Sequence, residues 1–246
     1  MRLDSYLCET GYTKSRTRAQ KLIANGLVTI NGIKAKKASQ EYTGGEIVVA
    51  EGDMPFVSRG GLKLDSALAC FGISVDGFVC CDIGASTGGF TDCMLKRGAK
   101  KVFAVDCGSG QLDESLLNDK RVINIENFNA RYLTNSVIDT KCDMVTMDVS
   151  FISQTLIHPA VGNIIKTGGH LLSLIKPQFE VGRQGIGKGG IVKKQSFFDM
   201  AAERVKQSGA ANGFRYIEIC DSPILGGDGN KEFIAHFIYE GDGVRK

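Results

Sequence analysis

Several patterns that would indicate a membrane, secreted or zinc-binding protein are missing from this 246-residue sequence. No stretch approaches the roughly 18 apolar residues of a membrane span, and the charged first residues lead us to expect no secretory signal. The eight cysteines form no C-x-x-C pair, and there are only three histidines, so the spacings of zinc sites are absent. We therefore expect reduced cysteines, a cytoplasmic location, no metal and no membrane partner.

Net charge is also small, but it is unevenly distributed along the chain. The formal charge is +3, and residues 1–60 carry nine Lys and Arg against six Asp and Glu, whereas the remaining residues carry 21 of each. A basic end on a neutral body indicates a polyanion-binding module attached to a second domain. The length fits one small and one medium domain.

The first 50 residues have the pattern of a small α+β domain. Apolar spacing predicts a helix over 2–10 and a second one that begins at Ser15 and ends at Asn25-Gly26. The Asn31-Gly32 pair predicts a type I′ hairpin. Strands are expected at 27–30, 33–35 and 46–49.

This arrangement resembles the small RNA-binding domain named after the fourth protein of the small ribosomal subunit, which implies an RNA partner. The alternative is a surface helix whose charges are merely solvated, and the basic helix just before the hairpin favours RNA binding. The side chains expected to bind RNA are Lys14, Arg16, Arg18, Lys21, Lys34, Lys36, Lys37 and, beyond this domain, Arg59.

A mixed segment at 51–60 is expected to be a linker, and residues 61–246 to form an α/β domain. Strand-like runs fall at 78–82, 101–105, 122–125, 144–148, 170–175, 216–220 and 232–239. Helical patterns fall at 61–71, 89–97, 111–117, 154–166 and 196–208. Alternating strands and helices predict a mostly parallel sheet covered on both faces. The short gap before the last strand predicts one antiparallel strand. This layout is typical of the seven-stranded, Rossmann-like class I methyltransferases.

A glycine-rich turn follows the first strand of this domain and indicates a ligand site. Glycines let the backbone approach a ligand closely, and the helix that follows offers free N–H groups. Asp106, at the end of the next strand, can accept both ribose hydroxyls of an adenosine, in NAD as well as in S-adenosylmethionine. Asp82 favours S-adenosylmethionine, because methyltransferases place an acid there. The residues expected to bind the cofactor are Asp82, Gly84, Ser86, Thr87, Gly88, Gly89, Asp106 and, with a weaker signal, Asn129.

Five motifs occur in order behind the basic module: S-R-G-G-L-K-L, D-I-G-A-S-T-G-G-F-T, M-D-V-S-F-I-S, K-P-Q-F-E-V-G-R and G-N-K-E-F. Together they resemble the TlyA family of ribosomal RNA 2′-O-methyltransferases, often labelled haemolysins, whose catalytic domain is similar to FtsJ-like RNA methyltransferases. The resemblance spans nearly the whole chain. It implies S-adenosylmethionine as cofactor, cytidine ribose in ribosomal RNA as substrate, and a catalytic tetrad on Lys63, Asp148, Lys176 and Glu232.

The chemistry of ribose methylation suits two lysines and two acids. A ribose 2′-hydroxyl is a poor nucleophile until its proton is removed or shared, whereas a sulfonium methyl group is already activated, so alignment is the main task. We expect Lys176 to be the base or to steer the hydroxyl, Lys63 and Glu232 to orient the ribose, and Asp148 to hold Lys176. Each residue alone could equally be a salt bridge.

Three other functions are compatible with parts of the sequence. An inactive methyltransferase fold could serve as an RNA-binding assembly factor, which would fail to bind S-adenosylmethionine. A membrane-acting haemolysin is disfavoured by the absence of an amphipathic apolar helix. A nicotinamide-dependent oxidoreductase is disfavoured because its usual G-x-G-x-x-G turn is absent.

Overall fold

A computed structural model describes residues 1–13, 15–24, 26–49 and 55–241, with only the main chain of Lys21. Contacts within the chain divide it into two compact units, Met1–Met54 and Pro55–Lys246. Lys14, Asn25, the Lys21 side chain and residues 51–54 of the expected linker lie outside the described residues. The domain boundaries at 50 and 61 therefore remain a prediction.

The first unit packs two short helices against a three-stranded antiparallel sheet of order β2-β1-β3. Asn31 and Gly32 both have positive φ, +50° and +76°, as a type I′ hairpin requires. Apolar side chains from both helices and from the central strand form its core. The elements are α1 (Leu3–Glu9), α2 (Arg16–Ala24), β1 (Val28–Ile30), β2 (Ile33–Lys34) and β3 (Ile47–Val49).

The second unit is a seven-stranded sheet of order β6-β5-β4-β7-β8-β10-β9. Its strands are β4 (Val79–Ile83), β5 (Lys101–Val105), β6 (Val122–Ile125), β7 (Cys142–Met147), β8 (Ile165–Ile175), β9 (Phe214–Asp221) and β10 (Phe233–Tyr239). The pairs among β4 to β8 are parallel, and β10 runs antiparallel to both β8 and β9. The predicted single antiparallel strand is thus confirmed.

Helices cover both faces of this sheet. They are α3 (Gly60–Cys70), α4 (Gly89–Lys96), α5 (Glu114–Leu117), α6 (His158–Ile164), α7 (Pro177–Glu180) and α8 (Gln195–Ala211). One apolar core lies under α3 and α4, and a second lies under α6 and α8 on the opposite face. The order of strands reverses between β4 and β7, which opens a crevice at the carboxyl ends of these two strands.

Two predicted helices are shorter than expected, each for a local reason. The expected helix at 154–166 is a 3₁₀ turn at Gln154–Leu156 followed by α6. Pro159 would break a continuous helix, whereas in the first turn of α6 its missing N–H costs nothing. Residues from Ile165 on belong to β8. The expected helix at 111–117 begins only at Glu114, because the Asp113 carboxylate caps it by accepting a hydrogen bond from Ser115 N. Within the described ranges, no helix has the length and apolar character of a membrane-spanning segment.

Candidate active site

The turn after β4 approaches the end of β7 so closely that a side chain would not fit. Gly84 has φ +84°, and a Cβ there would collide with the carbonyl oxygen of Asp148. Gly88, at φ +92°, caps α4, of which Gly89 is the first residue. Thr87 fixes the far side of the turn, since its carbonyl accepts a hydrogen bond from Asp113 N. The glycines therefore bring the turn against the carboxyl end of β7.

Asp106 follows β5 and ties two neighbouring loops together. Its Oδ2 accepts a hydrogen bond from Ser86 N at 2.8 Å, and its Oδ1 accepts one from Gly108 N at 2.7 Å. Ser86 is exposed, has φ +48° and donates from Oγ to Gln111 Oε1 at 3.2 Å. A carboxylate oxygen can accept a further hydrogen bond beyond these. The geometry therefore suits the expected contact with ribose hydroxyls.

Asp82 lies beneath the turn and is fully buried. Its two carboxylate oxygens accept hydrogen bonds from Thr91 Oγ1 at 2.7 Å and Thr146 Oγ1 at 3.0 Å. Burial raises the pKa of Asp82 to about 7 against the effect of these hydrogen bonds, and the negative charge of Asp148 adds to the rise. Asp82 therefore interacts electrostatically with Asp148, a member of the expected tetrad. Its direct contact with a cofactor stays a prediction.

The loop after β6 holds its polar side chains against the main chain. Asn129 caps a 3₁₀ turn by accepting a hydrogen bond from Arg131 N at 3.1 Å. Glu126 accepts one from Gly110 N at 2.8 Å, and this contact lowers the pKa of the Glu126 carboxyl. Glu126 thus joins this loop to the one that follows Asp106. The expected role of Asn129 beside an adenine stays a prediction.

The two most distant members of the expected tetrad form a buried ion pair. Lys63 Nζ of α3 lies 2.5 Å from Glu232 Oε2, just before β10, and the two side chains are only 10% and 3% exposed. Burial raises the pKa of Glu232, whereas the positive charges of Lys63 and Lys176 oppose that rise. Glu232 is therefore within electrostatic reach of both lysines, and of Asp148, whose negative charge adds to the rise.

The other two members lie at the ends of neighbouring parallel strands. Lys176 Nζ, after β8, lies 2.6 Å from Asp148 Oδ1, after β7, and donates a hydrogen bond to Ser150 Oγ at 2.8 Å. Asp148 Oδ1 receives no hydrogen bond from the described residues, so its contact with Lys176 is a charge contact. The structure thus brings all four tetrad residues together, and their catalytic roles stay a prediction.

A cavity of about 490 Å³ opens beside these two ion pairs. Lys176 and Glu232 lie in its wall together with Phe151, whose side chain is 93% exposed and packs against Phe179 with ring centroids 5.3 Å apart. Phe151 has φ +63°, a conformation that costs a non-glycine residue on the order of 1–2 kcal/mol. Gly227 belongs to the same wall, and the guanidinium of Arg59 lies next to it. The cavity thus combines charged groups with an exposed aromatic ring.

The first unit contains the expected basic surface, with one unexpected feature. The buried Asp4 carboxylate accepts hydrogen bonds from Arg2, at 3.0 Å from both Nε and Nη2, from Arg16 Nε at 3.1 Å and from Gln20 Nε2 at 2.7 Å. The Arg2 guanidinium and these other donors hold the pKa of Asp4 well below its usual range. Arg16 is thus anchored while half of its side chain is exposed. The other described basic side chains are exposed, namely Arg18, Lys34, Lys36 and Lys37.

Sequence reasoning did not single out Phe151, Gln178 or Asp228, which line the cavity. The first two lie inside motifs that it quoted, and Asp228-Gly229 reads as an ordinary turn. Only the fold shows that they share a wall. Among the described residues, no group of His, Cys, Asp and Glu has the makeup of a metal site.

A sheet of this order, with a glycine-rich turn at the point where the strand order reverses, defines a class I methyltransferase fold. The family model of FtsJ-like methyltransferases matches residues 56–239, and that of the S4 domain matches residues 1–48. The chain therefore belongs to the FtsJ-like methyltransferases of the TlyA family.

Individual relatives match over nearly their whole length. Hemolysin A of Brachyspira hyodysenteriae is 42% identical over 97% of this chain and 100% of its own. The 16S/23S rRNA (cytidine-2′-O)-methyltransferase TlyA of Mycobacterium tuberculosis is 40% identical over 94% of this chain and 87% of its own. A solved structure from Streptococcus thermophilus that carries the hemolysin label is 41% identical, with a TM-score of 0.78 over 98% of this chain and 89% of its own.

Proposed function

We propose that this protein transfers a methyl group from S-adenosylmethionine to a ribose 2′-hydroxyl, that of a cytidine, in ribosomal RNA. The observation that carries the proposal is the convergence of two Lys–carboxylate pairs between the glycine-rich turn and the cavity. The name of the mycobacterial relative specifies the same reaction. The S4 domain, with its exposed basic side chains, supplies a surface for RNA.

The residues present fit S-adenosylmethionine on chemical grounds. Asp106 offers a carboxylate, held by two main-chain N–H groups, for the ribose hydroxyls of the cofactor. Asp82 lies near the carboxyl end of β4, and Asp148 directly follows the neighbouring strand β7, so both acids lie at the edge of the sheet where the sulfonium cation would bind. When bound, S-adenosylmethionine supplies a methyl group on a sulfonium ion, which needs no further activation.

The tetrad would place the sugar for this transfer. Lys63 and Glu232 form a fixed, buried pair with which ribose oxygens can form hydrogen bonds. Lys176 is held between Asp148 and Ser150. Its nitrogen is therefore fixed in the cavity wall, where it can steer the hydroxyl oxygen toward the methyl carbon.

The test is to incubate the purified protein with labelled S-adenosylmethionine and each ribosomal subunit, and then to map the modified nucleotide. The expected product is a 2′-O-methylated cytidine. Methylation of a base would contradict the proposed chemistry. A protein that fails to bind S-adenosylmethionine in a calorimetric titration would instead be an assembly factor.

A further inference from the structure

A glutamine in the cavity wall uses the nitrogen of its side-chain amide in a hydrogen bond, whereas the amide oxygen has no donor among the residues described. Gln178 follows Lys176 and Pro177, is only 8% exposed, and donates from Nε2 to Asp228 Oδ2 at 3.0 Å. Its Oε1 is buried and receives no hydrogen bond from the part of the chain that the structure describes. A buried acceptor without a donor is unfavourable, so a ligand that supplies a donor here would gain binding free energy.

The orientation of this amide is set by a rigid neighbour. Asp228 accepts two further hydrogen bonds from Asn230, one from Nδ2 at 3.0 Å and one from the main-chain N at 3.1 Å. Asn230 is fully buried and also bonds to Gly190 O and Val192 N. Turning the Gln178 amide over would place its oxygen against the Asp228 carboxylate. The group left without a partner is therefore an acceptor.

The surroundings indicate which ligand group would meet this acceptor. Glu232, which would contact the ribose, and Lys176, which would steer its 2′-hydroxyl, lie in the same wall as Gln178. The exposed Phe151 ring offers a surface for a planar group. A nucleotide whose sugar lies at the tetrad would thus place its base in this cavity. The exocyclic group of cytosine is an amine that donates, whereas that of uracil is a carbonyl that accepts.

We propose that Gln178, oriented by Asp228, is a specificity-determining residue that accepts a hydrogen bond from the exocyclic amine of the target base and so selects cytidine over uridine. This inference rests on the proposed function and names the residue that selects its substrate. Uridine would place a carbonyl oxygen against Gln178 Oε1, so it would leave both acceptors unpaired and add repulsion.

The test compares ribosomal subunits that carry cytidine or uridine at the mapped nucleotide. For each, kcat/KM of methyl transfer and the equilibrium affinity are measured. The kcat/KM of the wild type should be at least about tenfold higher for cytidine than for uridine. Leaving a buried acceptor without its hydrogen bond costs on the order of 1–3 kcal/mol, and about 1.4 kcal/mol corresponds to a factor of ten. Gln178→Met keeps the length of the side chain but removes the acceptor, and should reduce the ratio of the two kcat/KM values toward one.

A second variant and a matched control separate specificity from folding. Asp228→Ala leaves Gln178 in place but frees its amide to turn, and it should also reduce the cytidine-to-uridine ratio. Gln195→Met removes a comparable Gln–Asp pair, in which Gln195 Nε2 donates to Asp199 Oδ1 at 2.9 Å on α8, and it should keep the wild-type ratio.

Two outcomes would overturn the inference: a wild type without preference, or an active Gln178→Met variant that keeps the wild-type ratio. The affinity measurement distinguishes this from failure of the proposed function. A wild type that binds the cytidine subunit more tightly, loses that preference in Gln178→Met, but methylates a base instead of the ribose would refute the proposed function and support the base contact.

Discussion

Both units hold cations on carboxylates that are buried or partly buried, and they differ in how far the cations reach into solvent. In the first unit, Arg2 and Arg16 contact the buried Asp4, but their side chains are 49% and 52% exposed. In the second unit, Lys63 and Lys176 are only 10% and 12% exposed. Exposed, permanently charged guanidinium groups attract and position a polyanion. Buried ammonium groups act on one atom at short range.

This difference assigns separate tasks to the two units. Changes at the Lys pairs should affect the rate of transfer or the stability of the α/β unit, whereas changes at Asp4 should affect RNA affinity alone. Each of the following predictions would weaken or refine that division.

The largest effect is expected for Lys176→Ala. On the proposed mechanism this variant would lose the group that steers or deprotonates the 2′-hydroxyl, and such assistance is worth roughly 10² to 10⁴ in rate. We expect kcat to fall by that factor while calorimetry shows nearly unchanged binding of S-adenosylmethionine. Lys206→Ala, which removes a lysine stacked over Tyr216 on the other edge of the sheet, is the control. A Lys176→Ala variant with more than a tenth of the wild-type rate would contradict the assignment.

Next in size is the effect of Glu232→Gln on stability. It leaves Lys63 as an uncompensated buried charge, and breaking a buried ion pair from one side costs about 3–5 kcal/mol. Urea unfolding should show a loss of that order. The double variant Lys63→Met with Glu232→Gln should recover part of it, because no charge is then left unpaired. Additive losses in the double variant would show that the pair is not coupled.

A smaller effect, with a defined pH dependence, is expected for Asp82→Asn. Because the folded pKa of Asp82 is raised to about 7, the stability gained from its protonated form is fully present below its unfolded value near 3.9 and is lost as pH rises through 7. The wild type should therefore lose up to about 1.4 kcal/mol per pH unit relative to Asp82→Asn between pH 5 and 7.

Unfolding in urea at pH 5, 6, 7 and 8 measures this difference. Burial lowers the pKa of His158 and of His236 to about 4. Their contributions to stability cancel in the difference, because the wild type and Asp82→Asn both contain these histidines. Asp76→Asn removes an exposed carboxylate and should show no such slope. A stability difference that does not vary with pH would mean that Asp82 keeps its ordinary pKa.

The parts of this structure that the sequence predicts are those that repeat along the chain. Alternating apolar runs predicted all seven strands of the large sheet, and the short gap before β10 predicted that one of the last two strands runs antiparallel. The order of the motifs predicted that Lys63 and Glu232 belong to one site, although they are 169 residues apart in the sequence. That inference depended on a family resemblance, because nothing in local spacing pairs a helix with the beginning of a distant strand.

What the sequence could not predict depends on tertiary neighbours. The pairing of Gln178 with Asp228 spans 50 residues, and neither position is unusual in its own segment. Likewise, the hydrogen bonds to the buried Asp82 come from threonines of two other elements, α4 and β7. The strained Phe151 lies in a motif, but its positive φ and exposed ring are visible only in three dimensions.

The smallest predicted effect separates position from net charge in the first unit. Asp4→Asn makes this unit more basic, so net charge alone predicts tighter RNA binding. The same change releases Arg2 and Arg16 from their anchor, and ordering each long side chain again on binding costs about 0.5–1.5 kcal/mol. The two side chains together would cost about 1–3 kcal/mol, and the added positive charge offsets part of this cost. We therefore expect RNA affinity to fall about fivefold to tenfold, with kcat unchanged at saturating RNA. Glu9→Gln on α1 adds the same charge without touching the arginines and should bind at least as tightly as the wild type. If Asp4→Asn instead binds more tightly, net charge rather than anchored arginines governs RNA binding.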